Sequence, residues 1–119
     1  MTQYSPQQIK FITENFQKGQ KSLQSGNFSK AEKFYLAILK IDSEIIDAKN
    51  ALAYIYATTK QHNKAINQLK NILVSNPDSA NIHHNLANIL SEVHSYDEAI
   101  IHYQTAISLF RKYKLARSR

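Results

Sequence analysis

The sequence predicts an all-α fold in which three helix-turn-helix repeats stack into an α-solenoid. Ala31, Ala65 and Ala99 recur every 34 residues, and a fixed period of that length marks stacked supersecondary units. The chemistry around each alanine recurs too. A ring stands three residues before it (Phe28, His62, Tyr96) and a hydrogen-bond-accepting side chain two before (Ser29, Asn63, Asp97). Tyr35, Leu69 and Tyr103 follow four after, then Ile38, Ile72 and Ala106. Finally, 119 residues contain only two glycines and two prolines, too little punctuation for a many-turned β fold.

Each element has a local reason. Ser5-Pro6 opens a helix over 6–24 as cap followed by proline at the first helical position; its apolar stripe is Ile12, Phe16, Gly19 and Leu23. Gly26-Asn27 turns the chain, and Ser29 with Glu32 reads as a capping box for a helix over 29–41. Ala48, Leu52, Ile55 and Tyr56 give a third helix its stripe over 44–58. After Gln61-His62, Asn63 starts a fourth over 63–74, closed by Asn76-Pro77-Asp78, because proline cannot continue a helix. Ile82, Leu86, Ile89 and Leu90 mark a fifth over 79–92. His94-Ser95 turns again, and Asp97 starts a sixth over 97–115.

Composition narrows the function classes. With no cysteine there is no disulfide framework, thiolate metal site or cysteine nucleophile. The start has neither the basic nor the apolar region of a secretory signal, and no run of about 18 apolar residues could span a membrane. The expectation is a soluble cytoplasmic protein of one domain, residues 1–119. Its net charge of +6 is uneven: five of the 15 Lys and Arg lie in residues 111–119, which leaves ten against nine acidic residues before them. The basic end reads as a helix terminus opposing its dipole, followed by a solvated tail. That is favoured over contact with nucleic acid or a membrane.

The repeat resembles the tetratricopeptide repeat. The second copy carries Leu52-Ala53, Tyr56, Ala65, Leu69 and Pro77; the third Leu86-Ala87, Leu90, Tyr96, Ala99, Tyr103 and Ala106; the first Gly19, Gly26, Phe28, Ala31 and Tyr35. The resemblance implies a right-handed solenoid with repeats at about 12–45, 46–79 and 80–113. Gly19, Ala53 and Ala87 would sit where paired helices approach closely, with Ala31, Ala65 and Ala99 opposite. The family's tryptophan position falls on Asn15, Lys49 and His83. Lys18 and Ser22 replace its usual Leu and Tyr, so the first stripe is rotated toward the groove. Either it repacks locally, or Phe16 and Leu23 form an apolar floor for a bound segment. Arg111 replaces the closing proline, so the last helix runs on through Tyr113 and Leu115, with no separate capping helix.

The resemblance also implies a concave groove that holds a partner segment. Its expected lining is Phe16, Gln20, Leu23, Asn50, Tyr54, His84, Asn85 and Asn88, with Asn81 and Glu92 set aside as solvated positions. One subfamily clamps chaperone carboxylates with basic residues; here the clamp positions are Phe16, Gln20, Ala51, Asn81 and Asn85, none basic, so that client class is rejected. The long last helix has too many apolar residues for one buried face. Ile100, Ile107, Phe110, Tyr113 and Leu115 are expected to serve self-association or docking on an adjacent domain.

Other chemistry finds little support. His83 and His84 are adjacent, so on a helix they point about 100° apart, and no metal-binding or nucleophile motif occurs. The expectation is no metal, no cofactor and no catalysis, in a scaffold for a protein or peptide partner. The alternatives are a regulatory or targeting domain of a larger enzyme, such as a glycosyltransferase or sulfotransferase, or a small secretion-type chaperone.

Overall fold

The computed structural model describes residues 3–117, and these form six α-helices and no strand. They are α1 (Pro6–Gln24), α2 (Phe28–Ile41), α3 (Ile46–Thr58), α4 (His62–Ser75), α5 (Ala80–Glu92) and α6 (Tyr96–Arg117). Ser118 and Arg119 of the basic end lie outside the described residues. Short connections pair α1 with α2, α3 with α4 and α5 with α6, while α2 meets α3 and α4 meets α5 between repeats. The radius of gyration is 15.9 Å, against about 13.5 Å for a globular chain of this length. The excess is that of a short stack. No helix among the described residues is long and apolar enough to cross a membrane.

The first helix starts as its sequence requires. Ser5 accepts from the Gln8 backbone and Gln8 returns a bond to the Ser5 backbone, with Pro6 behind. The second start differs from expectation. Asn27, not Ser29, caps α2 by accepting from the Lys30 N–H, and Ser29, Asn63 and Asp97 lie inside their helices. The reason is the turn before. Asn27 N–H bonds the Ser22 carbonyl at 2.8 Å and Gly26 N–H bonds Leu23 at 3.0 Å, the paired bonds of a Schellman motif. The residue ending that motif already stands at the next helix's start. The same pair recurs as Gln61 to Tyr56 with Lys60 to Ala57, and as Ser95 to Leu90 with His94 to Ser91. Gly26, Lys60 and His94, each 34 residues apart, all take positive φ, at 77°, 64° and 65°.

Two apolar clusters fill the stack. One joins Ala31, Tyr35 and Ile38 of α2 to Ala48, Leu52 and Ile55 of α3, with Ile12, Phe16 and Leu23 of α1 packed on it. The other spans α3 to α6 through Ala53, Leu69, Ile72, Leu86 and Leu90. Close approach is made by the small residues: Ala31, Ala65 and Ala99 are buried, as are Ala53 and Ala87. At Gly19 a Cβ would stand 2.7 Å from Cζ of Tyr35, so this contact has room for glycine alone.

Candidate partner-binding cleft

α3, α4 and α5 enclose an open cleft of about 320 Å³. α3 contributes Asn50, Ala53, Tyr54 and Ala57; α5 contributes Asn85, Asn88, Ile89 and Glu92. Both sets have the spacing i, i+3, i+4, i+7 of a single helix face. Buried Ala53, Ile89 and Leu69 of α4 make the floor, and the alanines leave the space that defines it. The rim is polar, with exposed Asn50, Asn85 and Asn88 and a Tyr54 ring 57% exposed.

Two contacts fix parts of this rim. The Tyr103 hydroxyl of α6 donates to Oδ1 of Asn88, which leaves the Asn88 NH2 group to donate elsewhere. At the end of the cleft, Oε2 of Glu92 lies 3.0 Å from Nε2 of His62, tying α5 to α4. Glu92, read from sequence as merely solvated, is thus both a wall of the cleft and a tie between helices. Its role was hidden because His62 lies 30 residues away on another element. Asn81 is exposed and lines no part of the cleft.

The structure brings together four of the eight expected lining residues: Asn50, Tyr54, Asn85 and Asn88. The other four lie elsewhere. Phe16 meets the Tyr35 ring edge-on at 6.0 Å, and with Leu23 it packs on the first core cluster. Their apolar surface is spent on that core, and the floor of this cleft comes from Ala53, Leu69 and Ile89 instead. Gln20 borders a separate, shallower depression with Lys18 and Lys21. His84 is exposed and sets its ring edge-on to Tyr103 at 5.8 Å.

The three residues at the tryptophan position are buried although polar, and each is satisfied. The Asn15 amide donates to the Phe11 carbonyl at 2.8 Å. Lys49 Nζ reaches Glu44 at 3.1 Å. His83 Nε2 lies 2.7 Å from the Pro77 carbonyl, so it carries a proton there, and its Nδ1 lies 2.9 Å from Nδ1 of His102, one of the two donating to the other. The two histidine rings stack at 5.2 Å, and Glu98 approaches His102 while pairing with Lys70 of α4 at 2.9 Å. Burial, then the neighbouring His83, holds the His102 imidazole below its ordinary range. Among the described residues no group of three or more such side chains is placed to hold a metal ion. Between the first two repeats the Tyr56 hydroxyl donates to Glu32 at 3.0 Å, and burial with that bond pushes Tyr56 up to about 12.

The expected docking face is open. Ile100, Ile107, Phe110, Tyr113 and Leu115 are all at least half exposed. α6 runs on past the span that α5 covers, as the Arg111 substitution implies.

A family model described as tetratricopeptide repeat matches residues 46–78 and 80–113. A crystal structure of MamA protein superposes with a TM-score of 0.78 at 27% identity, over 84% of this chain and 55% of that one. A mutant of the Thermobaculum terrenum O-GlcNAc transferase gives 0.78 at 19% identity, over 92% of this chain and 21% of its own. A structure of the CopN–Scc3 complex gives 0.77 at 10% identity, over 82% of this chain and 58% of that one. The last two likenesses are of fold alone. This chain therefore spans little more than half the length of the MamA chain and a fifth of the transferase. No curated protein sequence matches it.

Proposed function

The chain belongs to the tetratricopeptide repeat family, and from that premise we propose that it is a non-catalytic interaction scaffold, cytoplasmic, holding a segment of a partner protein in the cleft between α3 and α5. The observation that carries this is the cleft's composition: an apolar floor of Ala53, Leu69 and Ile89 under a rim of three amides and an exposed tyrosine. Amides bond a peptide backbone as donor and acceptor at once, and Tyr54 offers area for one apolar side chain. No basic residue lines the cleft, so the partner segment is not an acidic carboxylate tail.

The test is a pull-down with the intact protein and with Tyr54→Ala/Asn85→Ala/Asn88→Ala. All three side chains are exposed, so the variant keeps its fold by circular dichroism. Loss of a central rim tyrosine and two amides weakens the complex by about ten-fold or more. Retention of the same partners by the variant would refute the cleft reading. Because the chain is shorter than the proteins it resembles, service as the interaction domain of a larger enzyme stays an alternative, decided by the full reading frame.

The exposed apolar residues of α6 favour a second activity of the same scaffold, self-association through that helix. The basic end then serves that interface and makes no nucleic-acid or membrane contact.

A further inference from the structure

We propose that a second copy of this chain covers α6, the two α6 helices lying antiparallel about a two-fold axis with Asp97 of each copy paired to Arg111 of the other. This rests on the self-association reading and supplies its occupant and register.

The face in question is one that the next repeat covers elsewhere in the molecule. Ile100 and Ile107 stand 34 residues after Ile66 and Leu73, which are partly buried on the core completed by α5. Two repeats earlier the equivalents are Glu32, bonded to Tyr56 of α3, and Leu39, packed on the first cluster. At α6 both isoleucines are 52% exposed.

The uncovered face has a pattern of its own. Tyr96, Ile100, Tyr103, Ile107, Phe110 and Lys114 follow one another at intervals of four and three, the spacing of a seam between two supercoiled helices; Tyr103, half-buried against the core that α5 completes, edges this face, and the other five are exposed. Asp97, Gln104 and Arg111 flank that seam every seven residues. In an antiparallel pair, equivalent flanking positions face each other. Gln104 then meets Gln104 at the axis and Asp97 meets Arg111 at both ends. Along the seam Ile100 meets Phe110, Tyr103 meets Ile107, and the Tyr96 ring covers Lys114. A parallel pair would instead set the basic ends side by side. Among the described residues neither Asp97 nor Arg111 makes an ion pair within its own chain.

Head-to-tail stacking, the other way to cover α6, meets the wrong surface. Where α3 docks on α2 with Ala48, Leu52 and Ile55, the equivalent residues of α1 are Glu14, Lys18 and Lys21. The adjoining depression is lined by Lys18, Lys21 and Lys30. That face is charged and predominantly basic, and it would confront the basic end of α6.

The test is sedimentation equilibrium of the 119-residue protein, up to about 200 µM because a one-helix interface falls at the small end of stable contacts. Wild type is compared with Ile107→Glu, Asp97→Arg, Arg111→Asp and the double reversal Asp97→Arg/Arg111→Asp. These side chains are exposed, and circular dichroism checks each fold. Wild type forms a dimer; Ile107→Glu weakens it by about ten-fold or more. Each single reversal weakens it by about three-fold or more, and the double reversal restores it. A monomer at every concentration would overturn both this inference and the self-association reading. A dimer indifferent to Ile107→Glu, or one the double reversal fails to restore, would overturn the antiparallel α6 pair alone.

Discussion

Lys60 and His94 occupy a backbone region that costs a side-chain-bearing residue about 1–2 kcal/mol. Gly26 takes the same conformation freely at the equivalent place. Glycine at 60 or 94 would relieve that cost but lose about 0.5–1 kcal/mol in unfolded-chain entropy. Relief outweighs that loss, so Lys60→Gly and His94→Gly should each stabilise by about 0.5–1 kcal/mol, seen as a higher urea midpoint with unchanged slope. Equal or lower midpoints would show the turns to be unstrained. The sequence made the first of these turns legible because glycine announces it. The other two turns are legible at Gln61-His62-Asn63 and His94-Ser95, but their positive φ at Lys60 and His94 was hidden, since lysine and histidine carry no such signal. His102 gives a second expectation. Its folded pKa lies below the ordinary value of 6.5, so the unfolded chain takes up the proton first. Stability is complete above that value and falls as the pH drops below it toward the folded pKa. Melting temperature should therefore begin to decline as the pH falls through about 6.5, and His102→Gln should reduce the decline. An identical decline in both proteins would show that His102 is not its source.

Between elements, the contact of α1 with α2 is the least forgiving. Gly19→Ala gains about 0.5–1 kcal/mol of helix propensity but drives a methyl into the Tyr35 ring. Tyr35 is 4% exposed and flanked by Phe16, so it has little room to retreat, and overpacking costs about 1–3 kcal/mol. The net expectation is a loss of about 1–2 kcal/mol, read from chemical denaturation. A gain would mean the ring shifts freely. Helix identity was readable throughout, because the apolar stripes repeat at one period. What could not be read was how the inward polar residues are satisfied: Asn15, Lys49 and His83 are marked by their register, and Asn15 bonds Phe11 within its own helix, but the partners Glu44 and Pro77 follow from the bends of the chain. The cleft divides the same way. Its amides stand out at helical spacing, whereas the floor comes from Ala53 and Leu69, residues indistinguishable in sequence from ordinary core.

Across the whole molecule, charge and apolar exposure gather toward the same end. Residues 1–110 are nearly neutral, and the cleft carries one charged wall residue, Glu92. The basic residues after 110 continue the helix whose seam lies open. A uniformly basic protein would meet its partners by long-range attraction. Under the proposed function the surplus charge would act locally, orienting the copy that covers α6 and leaving the cleft to select by shape and hydrogen bonding. The asymmetry of the stack was legible in the sequence as the count of basic residues from Arg111 onward. That the opposite face is charged on α1 became visible only when α1 was laid on the register of α3.

The turns at 26, 60 and 94 close with one set of backbone bonds and the junctions at 42–45 and 76–79 with another, so residues 46–79 form a unit with interchangeable ends. Copied in after Ser79, that unit would meet at both joints a bend the chain already makes. The joints are not identical: the Tyr56 hydroxyl would face Ile66 where it now bonds Glu32, and the first His62 and Lys70 would meet Thr58 and Lys64 where they now pair with Glu92 and Glu98. Such a chain could grow by whole modules, each adding a core layer and another face of the cleft. Its length is thus a property evolution or a designer can edit without reinventing the fold.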